Sequence, residues 1–263
     1  MTPLRSFALL ATLPIVLAAA PLLTAQTAQT AQSNRTPVLV ELFTSEGCSS
    51  CPSADALLAK LDHDQPIPAA DIIVLGEHVD YWDGQGWHDR FSSSLYTDRQ
   101  KDYGEHLHVK EGAYTPQMIV DGTEQFVGND VSHAQRAIEH AAQATKIKLT
   151  LSQPAVDGRK VSASVSGALE STKPQGDLYA ALVDPTDTTD VRGGENGGHQ
   201  LRHAGVVRSL QHIGSLKQLS SGPVSFSLKA PGDAKPEGMR VVVFAQQNGP
   251  GPVLGATSAN VTP

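Results

Sequence analysis

Along the chain, apolar residues first fall into short unbroken runs alternating with stretches of helical spacing. VLVELF (Val38–Phe43) is a continuous apolar run with one acid, the pattern of a strand covered on both faces. In SADALLAKL, Ala54, Leu57, Leu58 and Leu61 recur at helical spacing, which predicts a helix over Pro52–Leu61 packed on one face. DIIVLG (Asp71–Gly76) is a second strand. DRFSSSLYTDRQKDYG is a helix with a polar exterior, and QMIV (Gln117–Val120) is a third strand. Asp121-Gly122 is a hairpin signal leading into TEQFV. Asp130 is placed to cap VSHAQRAIEHAAQA, with Val131, Ala134, Ile138, Ala141 and Ala142 as the apolar face. The predicted order is β-α-β-α-β-β-α.

From Lys146 the pattern changes. KIKLTL, KVSASVSG, DLYAALVD, SFSLKA and MRVVVFAQQ alternate or run apolar, with VDGR, PGDAKPEG and QNGPGP as turns between them and no helix signal. This predicts an all-β, sandwich-like C-terminal domain. The expected organisation is therefore a signal peptide over 1–25, a flexible linker over 26–35, an α/β domain over 36–145 and a β-rich domain over 146–263.

The signal peptide rests on MTPLRSFALLATLPIVLAAAPLLTA: one positive charge at Arg5, an apolar run, then small residues. Pro14 and Pro21 interrupt the run, which is short for a span of about 20 residues, and no later segment is apolar enough to cross a membrane. The expectation is an exported protein, periplasmic or secreted, with no membrane span in the mature chain. TAQTAQTAQ is too monotonous and polar to pack. Loss of Arg5 with the leader moves the net charge from −7 to −8. That balance, without a basic stripe, excludes nucleic acid as a partner.

Candidate chemistry centres on ELFTSEGCSSCP, which holds both cysteines of the chain, Cys48 and Cys51. They follow the first strand and open the first helix, the edge where sites form in open α/β sheets. Free N–H groups and the helix dipole there favour thiolate. Cys48 is expected at or near the N-cap and exposed, Cys51 one turn in and more buried. Cys48 would then attack a substrate disulfide and Cys51 resolve the mixed disulfide, with a protein or small-molecule thiol or disulfide as partner. Two features oppose this. Glu46 sits two residues before Cys48 and disfavours an anion nearby. Pro52 biases Cys51 away from helical angles.

The predicted element order resembles a thioredoxin-type core. In that setting Thr115-Pro116, just before the third strand, is expected to be a cis pair facing the cysteines, its backbone available to an extended substrate. HVDYWDGQGWHD should reach the same edge, with Trp82 as a substrate lip and His78, Asp80, Asp83, His88 and Asp89 beside it; a packed, capping loop is the alternative. Cys48, Cys51 and His78 also form a copper-type donor set, a second reading. A third is a non-catalytic interaction module with Cys48–Cys51 as a structural disulfide, although so short a loop gains little unfolded-state entropy. GENGGHQLRHAGVVR, with His199, Arg202, His203 and Arg208, reads first as a long turn entering a strand. No cofactor is expected. There is no Walker-type or dinucleotide fingerprint, and CSSCP lacks the histidine of a haem attachment pair.

Four stretches in order, ELFTSEGCSSCPSADALL, HVDYWDGQGWHD, YTPQMIVDG and GENGGHQLRHAGVVR, resemble the successive signatures of an exported bacterial family, the thioredoxin-like domain-of-unknown-function family 1223. The resemblance covers nearly the whole mature chain. It implies a thioredoxin-like fold followed by a β-rich region and draws attention to Cys48, Cys51 and Pro116. It implies no particular substrate.

Overall fold

The computed structural model describes residues 35–110, 112–169 and 175–262. The expected signal peptide, and all of the linker except Arg35, lie outside these residues.

The fold is mixed α/β, dominated by strands. The first elements are β1 (Thr36–Thr44), α1 (Pro52–Asp64), β2 (Ala70–His78), α2 (Ser94–His106), β3 (Gln117–Val120), β4 (Glu124–Val127) and α3 (Val131–Ala141). They follow the predicted order. There follow β5 (Leu149–Leu151), β6 (Ala155–Asp157), β7 (Lys160–Gly167), β8 (Asp177–Asp190), β9 (Gln200–Ser215), a 3₁₀ turn at Leu216–Ser221, β10 (Val224–Lys229), β11 (Arg240–Gln246) and β12 (Val253–Asn260).

The described residues fall within one compact unit. The pattern changes at residue 145, but the main sheet runs through both halves. It has eight strands in the order β12-β11-β8-β9-β2-β1-β3-β4, so the strands of the C-terminal half continue the sheet begun by β1 to β4. β1 and β2 are parallel, and β3 and β4 run antiparallel beside them. Only β5, β6, β7 and β10 form a separate sheet. Glycine makes the joint between the halves. β2 and β9 pair at Gly76 and Val206. A Cβ on Gly76 would lie 2.9 Å from the Ala204 carbonyl oxygen, and one on Gly205, where φ is 61°, would lie 2.7 Å from the Val74 side chain.

Strand alternation distributes the core. Val38, Val40 and Leu42 of β1 face α1 and α3, packing with Leu58, Leu61, Ala134 and Ile138. On the same side of the sheet, Leu178 and Leu182 of β8 and Val241 and Val243 of β11 pack with Val161, Val165 and Leu228 of the small sheet. The opposite side carries Leu39, Ile73, Leu75, Val183 and Phe244 against Tyr96 of α2. Asp130 caps α3 by accepting from the His133 N–H, but Val131, expected on the apolar face, is exposed. The polar exterior expected for α2 is only partial. Thr97, Arg99 and Gln100 are buried, because Arg99 meets Glu41 of the sheet, Thr97 donates to Asp80, and Gln100 donates to the Tyr114 carbonyl and to Gln117.

Candidate functional site: the Cys48–Cys51 edge

β1 ends at Thr44, and the chain turns through Ser45–Cys48 into α1. Cys48 and Cys51 form a disulfide, with Cα atoms 5.4 Å apart. Cys51, not Cys48, is the N-cap residue, and Pro52 occupies the first helical turn. Contrary to expectation, Cys51 has helical angles, φ −74° and ψ −34°. Pro52 costs no helical bond there, since the first N–H groups of a helix have no internal acceptor. The Cys51 N–H donates to the Cys48 carbonyl instead. Contrary to expectation as well, Cys48 is 0 % exposed, like Cys51, while Ser49 and Ser50 between them are exposed. The Ser50 hydroxyl lies 3.4 Å from the Cys48 sulfur, within hydrogen-bond range.

Thr115-Pro116 is a cis peptide. A methyl group at Gly128 would meet Ala54 at 3.1 Å and Pro116 at 3.2 Å, so the cis-proline loop lies against the first turn of α1. Trp82 links that loop to the cysteine turn. Its indole N–H donates to Thr115 Oγ1 at 2.8 Å, and its Cβ lies 3.1 Å from where a Cβ on Gly47 would stand. The loop carrying it is well tied. Asp83 accepts from the Asp89 N–H and the Ser92 hydroxyl, and His88 pairs with Asp83 at 2.8 Å. Asp80 accepts from the Thr97 hydroxyl of α2.

Beneath the turn lies a buried ionic cluster. His203, from β9, has Nε2 3.5 Å from Glu46 Oε1 and Nδ1 3.7 Å from Asp55 Oδ2. These are ion-pair distances too long for good hydrogen bonds. Burial alone would lower the imidazole pKa; the two carboxylates hold it up at about 10, so His203 is a cation at neutral pH. Burial pushes Glu46 up, but the facing His203 and the Trp87 indole N–H, 2.7 Å from Oε2, leave it below the usual range. The Glu46 charge, which opposes thiolate at Cys48, is thus compensated locally. Asp89 accepts from His78 Nδ1 at 2.6 Å and from the backbone N–H groups of Glu46 and Phe91. Burial raises its pKa, but His78 and these donors bring it down to about 2. The His78 and His203 rings meet edge to face at 4.8 Å.

The sequence matches the family described as "Protein of unknown function (DUF1223)" over residues 39–246. The chain belongs to this family. No curated protein matches it significantly. Among solved structures it is similar to protein AGR_C_4864 from Agrobacterium tumefaciens, with 27% identity, a TM-score of 0.65, and 87% of this chain and 96% of that one covered. It shares its fold with HBP35 of Porphyromonas gingivalis at 14% identity and a TM-score of 0.55, over 87% of this chain and 76% of that one.

Of the predicted site residues, Cys48, Cys51, Trp82, Thr115 and Pro116 therefore lie along one edge of the fold. His78 is adjacent, but its Nδ1 is committed to Asp89, and among the described residues no group of three His, Cys, Asp or Glu is placed to hold a metal ion. No helix among them is long and apolar enough to cross a membrane. Sequence reasoning names His203 only as part of a long turn, whereas it lies buried within β9, and it does not single out Asn196. Asn196, in the Gly-rich segment between β8 and β9, donates through its amide to the carbonyls of Glu46 at 2.9 Å and Cys48 at 3.0 Å.

Proposed function

We propose that the protein is an exported, thioredoxin-like thiol–disulfide oxidoreductase in which Cys48 is the exchanging sulfur and Cys51 the resolving one. The observation that carries this reading is the Cys-x-x-Cys disulfide at the start of α1 beside a cis Thr115-Pro116 loop, with Trp82 bridging the two. Further support is the β2-β1-β3-β4 order with β1 and β2 parallel and β3 and β4 antiparallel, and export rests on the pattern of residues 1–25.

In the reduced state, the Cys48 thiolate attacks one sulfur of a partner disulfide, and the other partner sulfur leaves as thiolate. Cys51, as thiolate, then attacks the Cys48 sulfur and expels the first partner sulfur. The partner gains two electrons and two protons, and the chain closes its own disulfide. The reverse sequence oxidises a partner dithiol. The Ser50 hydroxyl is within reach to donate to the Cys48 thiolate, and the His203 cation offsets the Glu46 charge behind it. Thr115 offers its backbone amide and carbonyl to an extended partner, the cis Pro116, whose own carbonyl accepts the Gly128 N–H, sets the turn, and Trp82 forms the lip.

The test is trapping. Cys51→Ser, mixed with a peptide disulfide, is expected to accumulate a mixed disulfide at Cys48 that mass spectrometry detects, and Cys48→Ser is expected to trap far less. Failure of Cys51→Ser to trap peptide would overturn the assignment.

A further inference from the structure

Two consecutive side chains of the Gly-rich segment between β8 and β9 occupy the backbone of the cysteine turn. The segment is closed at its neck, where the Val191 N–H donates to the His199 carbonyl at 2.9 Å and the Gly198 N–H to the Val191 carbonyl at 2.8 Å. From that neck it reaches across to the turn. Asn196 donates to the carbonyls of Glu46 and Cys48. Glu195 accepts the Ser49 N–H at 3.1 Å. Two acceptors and one donor of Glu46–Ser49 are thereby taken up by residues about 150 positions away in sequence.

The segment is built to sit closely without being packed into the core. A Cβ on Gly193 would stand 2.3 Å from the Gly86 carbonyl oxygen, and one on Gly194 would stand 3.2 Å from the Trp87 Cβ, so glycine allows the segment to lie on the tryptophan loop. Gly194 and Gly198 have φ of 67° and 86°. Asn196 is buried, but Arg192, Gly194, Glu195, Gly197, Gly198 and His199 are exposed. Little apolar surface holds the segment down, and segments of that kind open locally at low cost. The disulfide beneath is different, since neither cysteine presents surface to solvent. Exchange needs an incoming thiolate in line with the S–S bond. The closed arrangement offers no such approach.

We propose that this segment is an internal strap over the redox pair: Glu195 and Asn196 occupy backbone groups that a peptide partner would engage, and the strap must lift before Cys48 can exchange. The partner class this selects is an extended peptide bearing a thiol or disulfide. Such a peptide can replace the strap's hydrogen bonds with its own amide donors and carbonyl acceptors, which a small thiol cannot do. The inference rests on the exchange reading above and adds its regulation.

The experiment is the rate at which dithiothreitol reduces the oxidised full chain, followed by rapid alkylation of the thiols released. One dithiothreitol thiolate attacks Cys48 Sγ, the bond to Cys51 breaks, and Cys51 leaves as thiolate and is protonated. The second dithiothreitol thiol, deprotonated, displaces Cys48 and closes a cyclic disulfide, so two electrons pass to the protein. Asn196→Ala removes two hydrogen bonds and is expected to speed reduction roughly tenfold or more; Glu195→Ala removes one and is expected to speed it roughly threefold. Glu195→Gln keeps an acceptor and drops the charge, and should stay within about twofold of wild type. If Asn196→Ala does not fold, the two Glu195 variants carry the test, since that side chain is exposed. Equal rates in all folded proteins would overturn the strap and leave the exchange reading standing. So would equal acceleration by Glu195→Gln and Glu195→Ala, which would assign the effect to charge. Failure of Cys51→Ser to trap peptide would remove the exchange reading, even with the strap variants reduced faster.

Discussion

Two buried polar clusters lie on this fold, and they are built differently. On the α2 side of the sheet, Arg99 donates to Glu41 Oε1 at 2.7 Å and to Gln246 Oε1 at 3.1 Å, and the Tyr103 hydroxyl donates to Glu41 Oε2 at 2.5 Å. Gln246 also donates to Tyr103 at 2.7 Å. Nearly every atom is committed. The exception is Glu77, whose oxygens have no hydrogen-bond partner. Burial, with the Glu41 charge beside it, pushes its pKa well up despite Arg99. Beneath the disulfide, Glu46 Oε1, His78 Nε2, both His203 nitrogens and Thr189 Oγ1 all lack partners of hydrogen-bond geometry. There the charges are held by looser ion pairs between the cysteine turn, α1 and β9. The difference separates a cluster whose groups are nearly all hydrogen-bonded from one held by looser ion pairs beside the disulfide; on the proposed exchange reading, the second keeps charge available beside the exchanging sulfur. Buried polar atoms left unsatisfied in a native fold call for such an explanation.

Mutation can break this contrast. The largest effect is expected at Arg99. Arg99→Met strands Glu41 without its cation and should cost about 3 to 5 kcal/mol in urea unfolding. A loss under about 1 kcal/mol would mean the cluster is not the structural one.

His203→Gln should cost less at neutral pH, about 2 kcal/mol, and its signature is in the pH dependence. The folded pKa of about 10 exceeds the usual 6.5, so the stabilisation is complete below about pH 6.5 and is lost as pH rises towards 10. Across that window the wild-type advantage over the variant should shrink progressively and be lost by about pH 10. A constant difference between pH 7 and 10 would show that His203 is not held protonated.

The smallest effect is expected at the lip. Thr115→Val removes the acceptor of the Trp82 indole N–H and should cost about 1 kcal/mol. It should also slow peptide trapping by Cys51→Ser. Unchanged trapping would place the partner contact elsewhere.

Much of the architecture near the cysteines is legible in the sequence because it is local. The apolar run of β1, the Leu57-Leu58-Leu61 spacing of α1 and the Asp121-Gly122 turn, where both residues have positive φ, each carry their own signal. What was not legible depends on distant pairing. α2 looked polar outside because nothing local announces that Arg99 meets Glu41, 58 residues earlier. The sheet continues past residue 145 through a joint that depends on Gly76 and Gly205 fitting together, which no periodicity reveals. The burial of Cys48 has no local sign, and one group that binds its backbone, the Asn196 amide, lies 148 residues on. His203 is one of ten histidines, and its one local sign is that it shares strand parity with the buried Leu201 in an otherwise exposed stretch, Gln200–His203.

The central claim is that Cys48 and Cys51 exchange rather than staple. The most direct test is the equilibrium reduction potential of the pair, by titration of the protein against glutathione or dithiothreitol. The account predicts a value between about −120 and −270 mV, the range of dithiol exchange proteins. A value below about −300 mV would mark a structural disulfide and contradict it.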